Sequence, residues 1–243
     1  MIANKTMQPW DYEPASDLDK TLAERLRCFP REPDLSIYAV RSLAALLIRG
    51  WLRTYHRFRV EGTDHLPQSG SFILVSNHSS HLDTLCLLAA LPLRVLHRAF
   101  PAAAQDYFFV NVPRLALAAI VVNALPFGRQ THIRQSLELC RQLLSNPGNV
   151  LILFPEGTRS ISGKLGDFRP GVGLLVAGTR TPVVPCHLDG AREAWPKGSI
   201  VPRTGKIRLR IGTPMTFETE SPDRMGAEVV CGRLQQAVID LSL

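Results

Sequence analysis

Residues 72–88 read FILVSNHSSHLDTLCLL, and this stretch predicts the centre of the fold. It opens with an apolar run, which predicts a buried strand, and closes with a leucine-rich run, which predicts a helix. Two serines and an aspartate lie between the runs, and these residue types hydrogen-bond the free N–H groups at a helix start. The sequence therefore predicts a strand-to-helix turn over residues 77–83.

His78 and Asp83 lie within this turn, five positions apart. Neither a regular helix nor a regular strand brings that pair to one face, so the two side chains can meet only across the turn. A carboxylate that holds one imidazole nitrogen leaves the other nitrogen free to take a proton from a hydroxyl. Because the chain has no G-x-S-x-G motif and no cysteine beside the pair, we expect the base to activate a substrate hydroxyl directly.

Two alternatives remain open for the same residues. A histidine and an aspartate this close in sequence are commonly a helix cap and a polar pair without catalytic function. His78, His81 and Asp83 are also all capable metal ligands, although their spacing matches no zinc signature. The spacing alone does not decide between these interpretations and a catalytic dyad.

Length and composition limit the class of protein. A chain of 243 residues with 45% hydrophobic residues fits one domain with a sizeable core, and it excludes a disordered chain. The five cysteines are odd in number, widely spaced and never in C-x-x-C, which argues against a disulfide framework and favours a reducing compartment.

The net charge is +7, and residues 1–35 contain seven acidic and five basic residues, so the remainder carries +9. A basic domain suits an anionic membrane or anionic small substrates, and no nucleic-acid-binding motif is present, so we expect no nucleic-acid partner. The first residues show no secretory signal, and no run of about 18 apolar residues predicts a spanning helix.

Three regions are predicted. Residues 1–35 form a polar arm, residues 36–57 an amphipathic helical segment, and residues 58–243 the main domain. In the segment, Arg49, Arg53 and Arg57 recur at a spacing of four and predict a cationic stripe. The apolar residues recur at three and four: Ile37, Val40, Ala44, Leu47, Ile48, Trp51, Tyr55 and Phe58. This pattern is typical of a helix in an anionic lipid interface, and the alternative is an ordinary surface helix.

Strands and helices are predicted to alternate along the main domain. Strands are expected at 57–61, 71–76, 95–99, 149–154, 183–188 and 206–211, with another at the end of 115–127. Helices are expected at 82–91, 131–144, 171–177 and 222–241. This alternation predicts an α/β fold with a mostly parallel central sheet flanked by helices, whose sites lie at the carboxyl ends of strands.

Two further motifs follow predicted strands. One is Glu156-Gly157-Thr158-Arg159, and the other is Gly128-Arg129. In a parallel sheet both would reach the same edge as the His78 turn. Because guanidinium groups suit bidentate binding of phosphate, this edge is expected to place a base beside an anion pocket.

These motifs, in chain order, resemble the four blocks of the glycerolipid acyltransferase family, of which 1-acylglycerol-3-phosphate acyltransferases are typical. The blocks are Asn77-His78 with Asp83, Phe127-Gly128-Arg129, the segment from Phe154 to Ser160, and Val184-Pro185. The stretch Phe168-Arg169-Pro170-Gly171 is similar to the family as well. The resemblance covers roughly residues 58–217.

The resemblance implies transfer of a fatty acyl group from an acyl thioester, on CoA or acyl carrier protein, to a lysophospholipid hydroxyl, without a cofactor or metal. The simplest acceptor is 1-acylglycerol 3-phosphate, which would give phosphatidate. By the resemblance His78 is the general base and Asp83 orients it. The implied substrate contacts are Asn77, Gly128, Arg129, Glu156, Gly157, Thr158 and Arg159, with Pro185 on the acyl side. The family also implies a peripheral enzyme that docks on an anionic membrane surface, here expected on the cytoplasmic face.

Phosphatidate-forming members often carry an acidic residue before the arginine of the second block, whereas this chain reads Pro-Phe-Gly-Arg. The same chemistry on another lysolipid, an amino-acid lipid or a specialised metabolite is therefore the nearest alternative. Alternatives from other classes are a non-catalytic lipid-binding relative and a metal-dependent hydrolase.

Overall fold

A computed structural model of the chain describes residues 35–104, 117–128, 133–196 and 198–243. The first 34 residues of the predicted polar arm lie outside these ranges, as does Arg129.

The described residues form a seven-stranded sheet with the order β1-β7-β6-β2-β5-β3-β4. The strands are β1 (Arg59–Glu61), β2 (Phe72–Ser76), β3 (Ala99–Ala104), β4 (Leu125–Phe127), β5 (Val150–Leu153), β6 (Val183–Asp189) and β7 (Arg208–Ile211). All neighbouring pairs are parallel except β6 and β7, which are antiparallel. The predicted mostly parallel α/β fold is confirmed.

Helices flank this sheet. They are α1 (Leu35–Tyr55), α2 (Leu82–Ala90), α3 (Leu93–Leu96), α4 (Ile133–Ser145), α5 (Gly171–Val176), α6 (Ala191–Ala194) and α7 (Arg224–Asp240). A 3-10 turn covers Thr63–His65 and a π-helical turn covers Leu117–Val121. Asp223 caps α7, because its carboxylate accepts the N–H of Gly226 at 2.9 Å.

Strand β2 lies at the centre of the sheet and is buried along its whole length. Phe72 and Leu74 face the core on the α2 side, whereas Ile73 and Val75 face the core formed with α4, α5 and α7. A strand covered on both faces must be apolar at every position, which explains the continuous run in the sequence. The turn that follows β2 therefore starts from a strand that is buried on both faces.

The prediction of a strand at residues 95–99 is wrong. Helix α3 occupies Leu93–Leu96, and the strand follows as β3. Pro92 begins the helical turn, where Val95 N–H donates to the Pro92 carbonyl at 2.9 Å. The alanine-rich β3 then pairs with β5, with Ala99 opposite Val150, so pairing to a buried neighbour overrides the weak strand propensity of alanine. The short helix α6 was not predicted either.

Helix α1 packs against the domain, and the arginines of the predicted stripe do not share one helix face. Arg53 is exposed, Arg49 is half-buried, and Arg57 lies beyond the end of the helix. The guanidinium of Arg41 is buried and donates to the carbonyls of Ala119 and Ile120, and burial lowers its pKa to about 10. Arg49 donates to the carbonyl of Leu91. Leu52 is fully buried. These contacts hold the helix against the α2 side of the sheet.

The outward face of α1 is apolar. Four exposed aliphatic residues recur along it: Val40, Leu43, Leu46 and Leu47. The structure corrects the sequence pattern, because Val40 and Leu47 face away from the domain while Arg41 and Arg49 face toward it. By length and composition α1 is also the one helix among the described residues that would suffice to cross a membrane, contrary to the expectation from apolar runs.

Candidate active site

The turn between β2 and α2 is built around the carboxylate of Asp83. Its Oδ2 accepts the backbone N–H groups of Ser79 at 2.7 Å and Ser80 at 2.8 Å, and it lies 2.9 Å from Nδ1 of His78. Asp83 is completely buried. The dyad meets across a strand-to-helix turn, in the geometry that the sequence predicts.

This contact fixes the orientation of the His78 ring. An ionised carboxylate only accepts hydrogen bonds, so Nδ1 of His78 is protonated and donates a hydrogen bond to Asp83. Nε2 is then the nitrogen available to take a proton. The ring of Phe154 stacks on the imidazole with centroids 4.1 Å apart and planes 18° from parallel, which further restricts ring rotation. Sequence reasoning missed Phe154, although it directly precedes the Pro155-Glu156 motif.

Glu156 joins two motifs that are distant in sequence. Its Oε1 accepts the backbone N–H of His78 at 2.7 Å, and its Oε2 accepts the N–H of Gly166 at 2.9 Å. The N–H of Ser160 in turn donates to the His78 carbonyl at 2.8 Å. Burial raises the pKa of the Glu156 carboxyl, and the two backbone N–H groups oppose that shift. With both oxygens occupied by the backbone, Glu156 holds the turn between β2 and α2 in place.

Asn77 and Pro185 lie in the sheet behind the turn. The Asn77 amide bonds twice to the backbone of Leu188, donating to its carbonyl at 3.0 Å and accepting its N–H at 2.8 Å. Pro185 is buried in β6 opposite Val75. Both residues connect β2 to β6, and a substrate contact for either remains a prediction.

Gly157 adopts a left-handed conformation with φ of 72°. A side chain there would be strained, and its Cβ would come within 2.8 Å of Nε of Arg169. The N–H of Gly157 donates to the Phe154 carbonyl at 3.0 Å. The glycine therefore lets the Arg169 side chain approach the backbone beside His78, and Arg169 is a candidate site residue that the prediction did not include.

The remaining predicted contacts lie around this turn. The N–H of Gly128 donates to the Ser136 hydroxyl at 2.9 Å, and Arg129 is outside the described residues. Thr158 is exposed and Arg159 is half-buried.

Arg159 acts electrostatically on His81. Burial, and after it the positive charge of Arg159, lower the pKa of His81 to about 4. The His81 ring lies against Trp195, with centroids 5.7 Å apart. His81 is therefore neutral at physiological pH.

An apolar cavity of about 410 Å³ opens beside His78. Gly157 and Arg169 also line it, and the rest of its lining comes mainly from β3, β4, α4, β5 and α5. Six apolar residues from these walls are Phe127, Leu137, Cys140, Leu153, Val172 and Leu175. A cavity with one polar end and apolar walls suits an alkyl chain whose reactive end lies at the histidine.

The metal alternative has no support in the described ranges. They contain no group of three or more histidine, cysteine, aspartate or glutamate side chains placed to hold an ion.

Comparison with known proteins gives three consistent matches. A family model described as Acyltransferase matches residues 57–189. The chain is 33% identical over 165 residues to 1-acyl-sn-glycerol-3-phosphate acyltransferase LPAT1, chloroplastic, from Arabidopsis thaliana, covering 66% of this chain and 44% of that protein. It is 28% identical over 174 residues to 1-acyl-sn-glycerol-3-phosphate acyltransferase alpha from Homo sapiens, covering 70% of this chain and 59% of that protein. The chain thus spans about half the length of these curated relatives.

The fold is also similar to a solved structure, the 1-acyl-sn-glycerophosphate (LPA) acyltransferase PlsC from Thermotoga maritima. The TM-score is 0.61 at 25% identity, over 84% of this chain and 79% of that one.

Proposed function

Because the chain belongs to the Acyltransferase family, whose model matches more than half of it, we propose that it acylates the hydroxyl of 1-acylglycerol 3-phosphate to give phosphatidate. The donor is an acyl thioester, either acyl-CoA or acylated acyl carrier protein. The observation that carries the proposal is the His78–Asp83 dyad, whose histidine lines an apolar cavity of about 410 Å³. The names of the relatives support this choice of acceptor.

The dyad acts in a direct transfer. Nε2 of His78 takes the proton of the acceptor hydroxyl while that oxygen attacks the thioester carbonyl carbon. The attack forms the C–O bond and gives a tetrahedral intermediate. The intermediate collapses to the ester by re-forming the carbonyl and cleaving the C–S bond, and the imidazolium returns its proton to the leaving thiolate. Asp83 stabilises the imidazolium and keeps the ring in place. Assistance by such a base contributes about 10² to 10⁴ in rate.

The cavity holds the acyl chain of the donor. Its depth lies among leucine and valine side chains, so the chain leaves water when it binds. The thioester carbonyl then lies at the entrance, beside His78. Arg169 at the same entrance is placed to meet a donor phosphate, since it lines the cavity and remains exposed.

Arg159, together with Arg129, binds the acceptor phosphate in this proposal. The support is the proximity of Arg159 to the catalytic turn, through its electrostatic effect on His81. A guanidinium here adds a planar pair of donors for phosphate oxygens.

The protein associates peripherally with the cytoplasmic face of a membrane through α1. The support is the outward row of exposed aliphatic residues on a helix whose other face is bound to the domain. A helix held by Arg41 and Leu52 cannot leave the domain to span a bilayer without exposing a buried arginine and core surface. The four described cysteines are free and buried, in keeping with a reducing compartment.

The test of the reaction is an assay of the purified protein with palmitoyl-CoA and palmitoyl-acyl carrier protein. Each donor is offered with 1-acylglycerol 3-phosphate, lysophosphatidylcholine or monoacylglycerol. We expect phosphatidate with one or both donors and a clear preference for the phosphate acceptor. A preference for a different lysolipid would replace the acceptor, and no transfer to any acceptor would contradict the reaction.

The membrane contact is tested by the double substitution Leu43→Ser and Leu47→Ser. These residues are 60% and 66% exposed, so the change spares the core, whereas deleting the helix would remove the buried Leu52. We expect weaker sedimentation with anionic vesicles and an unchanged thermal unfolding midpoint. Unchanged sedimentation would contradict the assignment of this face.

A further inference from the structure

Two loops outside α1 also present apolar side chains to the surroundings. Ile161 lies in the loop after the Glu156 motif and is 73% exposed. Ile200 and Val201 lie in the loop after α6 and are 90% and 67% exposed. We call these two segments, residues 160–165 and 198–204, the rim loops. Single exposed apolar residues are ordinary on protein surfaces. Whether these three form a binding surface therefore depends on their position and on the residues around them.

Both rim loops are fixed by the short helix α6. The guanidinium of Arg192 donates twice to the Ile161 carbonyl, at 3.1 and 2.8 Å. The indole N–H of Trp195 donates to the Ser199 carbonyl at 2.9 Å, and Arg203 N–H donates to the Ala194 carbonyl at 2.7 Å. The apolar tips are therefore presented by loops with defined hydrogen bonds.

The rim loops lie on the same edge of the sheet as the catalytic turn. The hydroxyl of Ser80, which lies in the turn between β2 and α2, donates to the Trp195 carbonyl at 2.8 Å. Ser160, beside Ile161, donates its N–H to the His78 carbonyl. The two loops thus border the site where the reaction is proposed to occur.

The second rim loop is continuous with the end of α1. The hydroxyl of Tyr55 donates to the Pro202 carbonyl at 3.3 Å, and the hydroxyl of Thr204 donates to the Tyr55 carbonyl at 2.8 Å. The loop that carries Ile200 and Val201 is therefore attached to the end of the helix proposed to touch the membrane.

The charged residues in and directly beside the rim loops are basic. Residues 198–206 contain two basic residues and no acidic residue, and residues 157–166 contain two basic residues and no acidic residue. Basic groups beside exposed apolar side chains are the composition that binds anionic lipid surfaces.

We propose that the rim loops are a second lipid contact, which inserts Ile161, Ile200 and Val201 into an anionic bilayer and holds the mouth of the active site at the lipid surface. This inference rests on the proposed membrane association and adds a second contact to α1. An acidic protein would satisfy the charges, but three separate aliphatic tips on two loops fit insertion between lipids better than a flat protein interface. The acceptor would then reach His78 from the bilayer.

The test is vesicle binding, measured without substrates, for Ile161→Ser and for the double variant Ile200→Ser with Val201→Ser. The vesicles contain equal amounts of phosphatidylglycerol and phosphatidylcholine. We expect each variant to bind at least about fivefold more weakly, while Ile200→Leu with Val201→Leu binds like the wild type. The matched control is Met225→Ser, because Met225 is 77% exposed and lies near the start of α7. The start of α7 follows Pro222, which lies beside Gly178 at the opposite edge of the sheet from the rim loops.

A second measurement separates this inference from the proposed reaction. With a short-chain acceptor below its micelle concentration, the serine variants should keep the wild-type kcat/KM, whereas with vesicle-bound acceptor kcat/KM should fall in parallel with binding. Vesicle binding equal to that of the wild type, or a loss equal to that of Met225→Ser, would overturn the inference. Intact vesicle binding combined with lost binding to acyl carrier protein would also overturn the inference, since the rim loops would then contact a protein. If no substrate is turned over, the binding result still decides the lipid contact.

Discussion

The backbone N–H of His78 donates to the carboxylate of Glu156 at 2.7 Å, and this bond joins residues that are 78 positions apart. The neighbouring strands β2 and β5 end side by side, which brings the two motifs together. The position of the imidazole therefore depends on two carboxylates, because Asp83 holds its ring and Glu156 holds its backbone.

Replacing Glu156 with glutamine should lower kcat about tenfold to a hundredfold with little change in KM for the acceptor. A glutamine amide has one accepting oxygen and one NH₂, so one of the two backbone N–H groups would lose its partner, at a cost of about 1 to 3 kcal/mol. Steady-state kinetics with each substrate varied in turn provides the measurement. A raised acceptor KM at unchanged kcat would instead mean that Glu156 binds the acceptor directly.

Replacing Arg159 with alanine should raise the KM for 1-acylglycerol 3-phosphate with less effect on the donor. Loss of a charge-assisted contact costs about 1.5 to 3 kcal/mol, or roughly tenfold to a hundredfold in kcat/KM. Lysine should rescue only partly, because a point charge does not reproduce the planar fork. Arg129→Ala is the parallel variant. The comparison acceptor is neutral monoacylglycerol, and equal losses on both acceptors would show that the arginine does not recognise the phosphate.

His81 should titrate with a pKa of about 4, below its usual value, when followed by NMR of the imidazole protons. Because the folded state holds its proton less tightly than the unfolded chain, this residue makes the protein less stable as the pH falls from about 6.5 toward 4. His81→Gln should reduce that pH dependence of the unfolding free energy. Arg159→Ala should raise the His81 pKa, since the arginine charge is one of its causes. An unchanged pKa in that variant would refute the proximity of the two side chains.

Replacing Val172 with phenylalanine should shift the preferred donor toward shorter acyl chains. Val172 is buried and lines the cavity, so a larger side chain shortens the space beyond the thioester. The measurement is kcat/KM over a series of acyl-CoA or acyl carrier protein donors, with Val229→Phe on the exposed face of α7 as the control. An equal decrease for all chain lengths would indicate general damage and count against the cavity as the acyl site.

The parts of this protein that could be predicted from sequence are those fixed by local patterns. The apolar run of β2 and the five-residue spacing of His78 and Asp83 are both local, and together they allow only a strand-to-helix turn. The alternation of apolar strands and amphipathic helices likewise specified the mostly parallel sheet. Asp223 and Pro222 at the start of α7 are start signals of the same local kind.

The parts that could not be predicted depend on contacts between distant segments. Helix α1 is apolar on two faces, so its periodicity does not tell which face meets the domain, and Arg41 and Arg49 point inward only because carbonyls at Ala119 and Leu91 accept them. The bonds of Glu156 to His78 and Gly166 require the pairing of β2 with β5. The cavity is formed by five separate elements, and no single segment carries its pattern.

The central claim is that His78 is the base for direct acyl transfer, and its most direct test is the turnover of His78→Ala beside His81→Ala. Both proteins are first shown to be folded by circular dichroism and thermal unfolding. Removing the base should lower kcat at least about 10²-fold, Asp83→Asn should lower it somewhat less, and His81→Ala should have a mild effect. If His78→Ala kept turnover within about threefold of the wild type, or if His81→Ala were equally damaging, the assignment of His78 as the base would be contradicted.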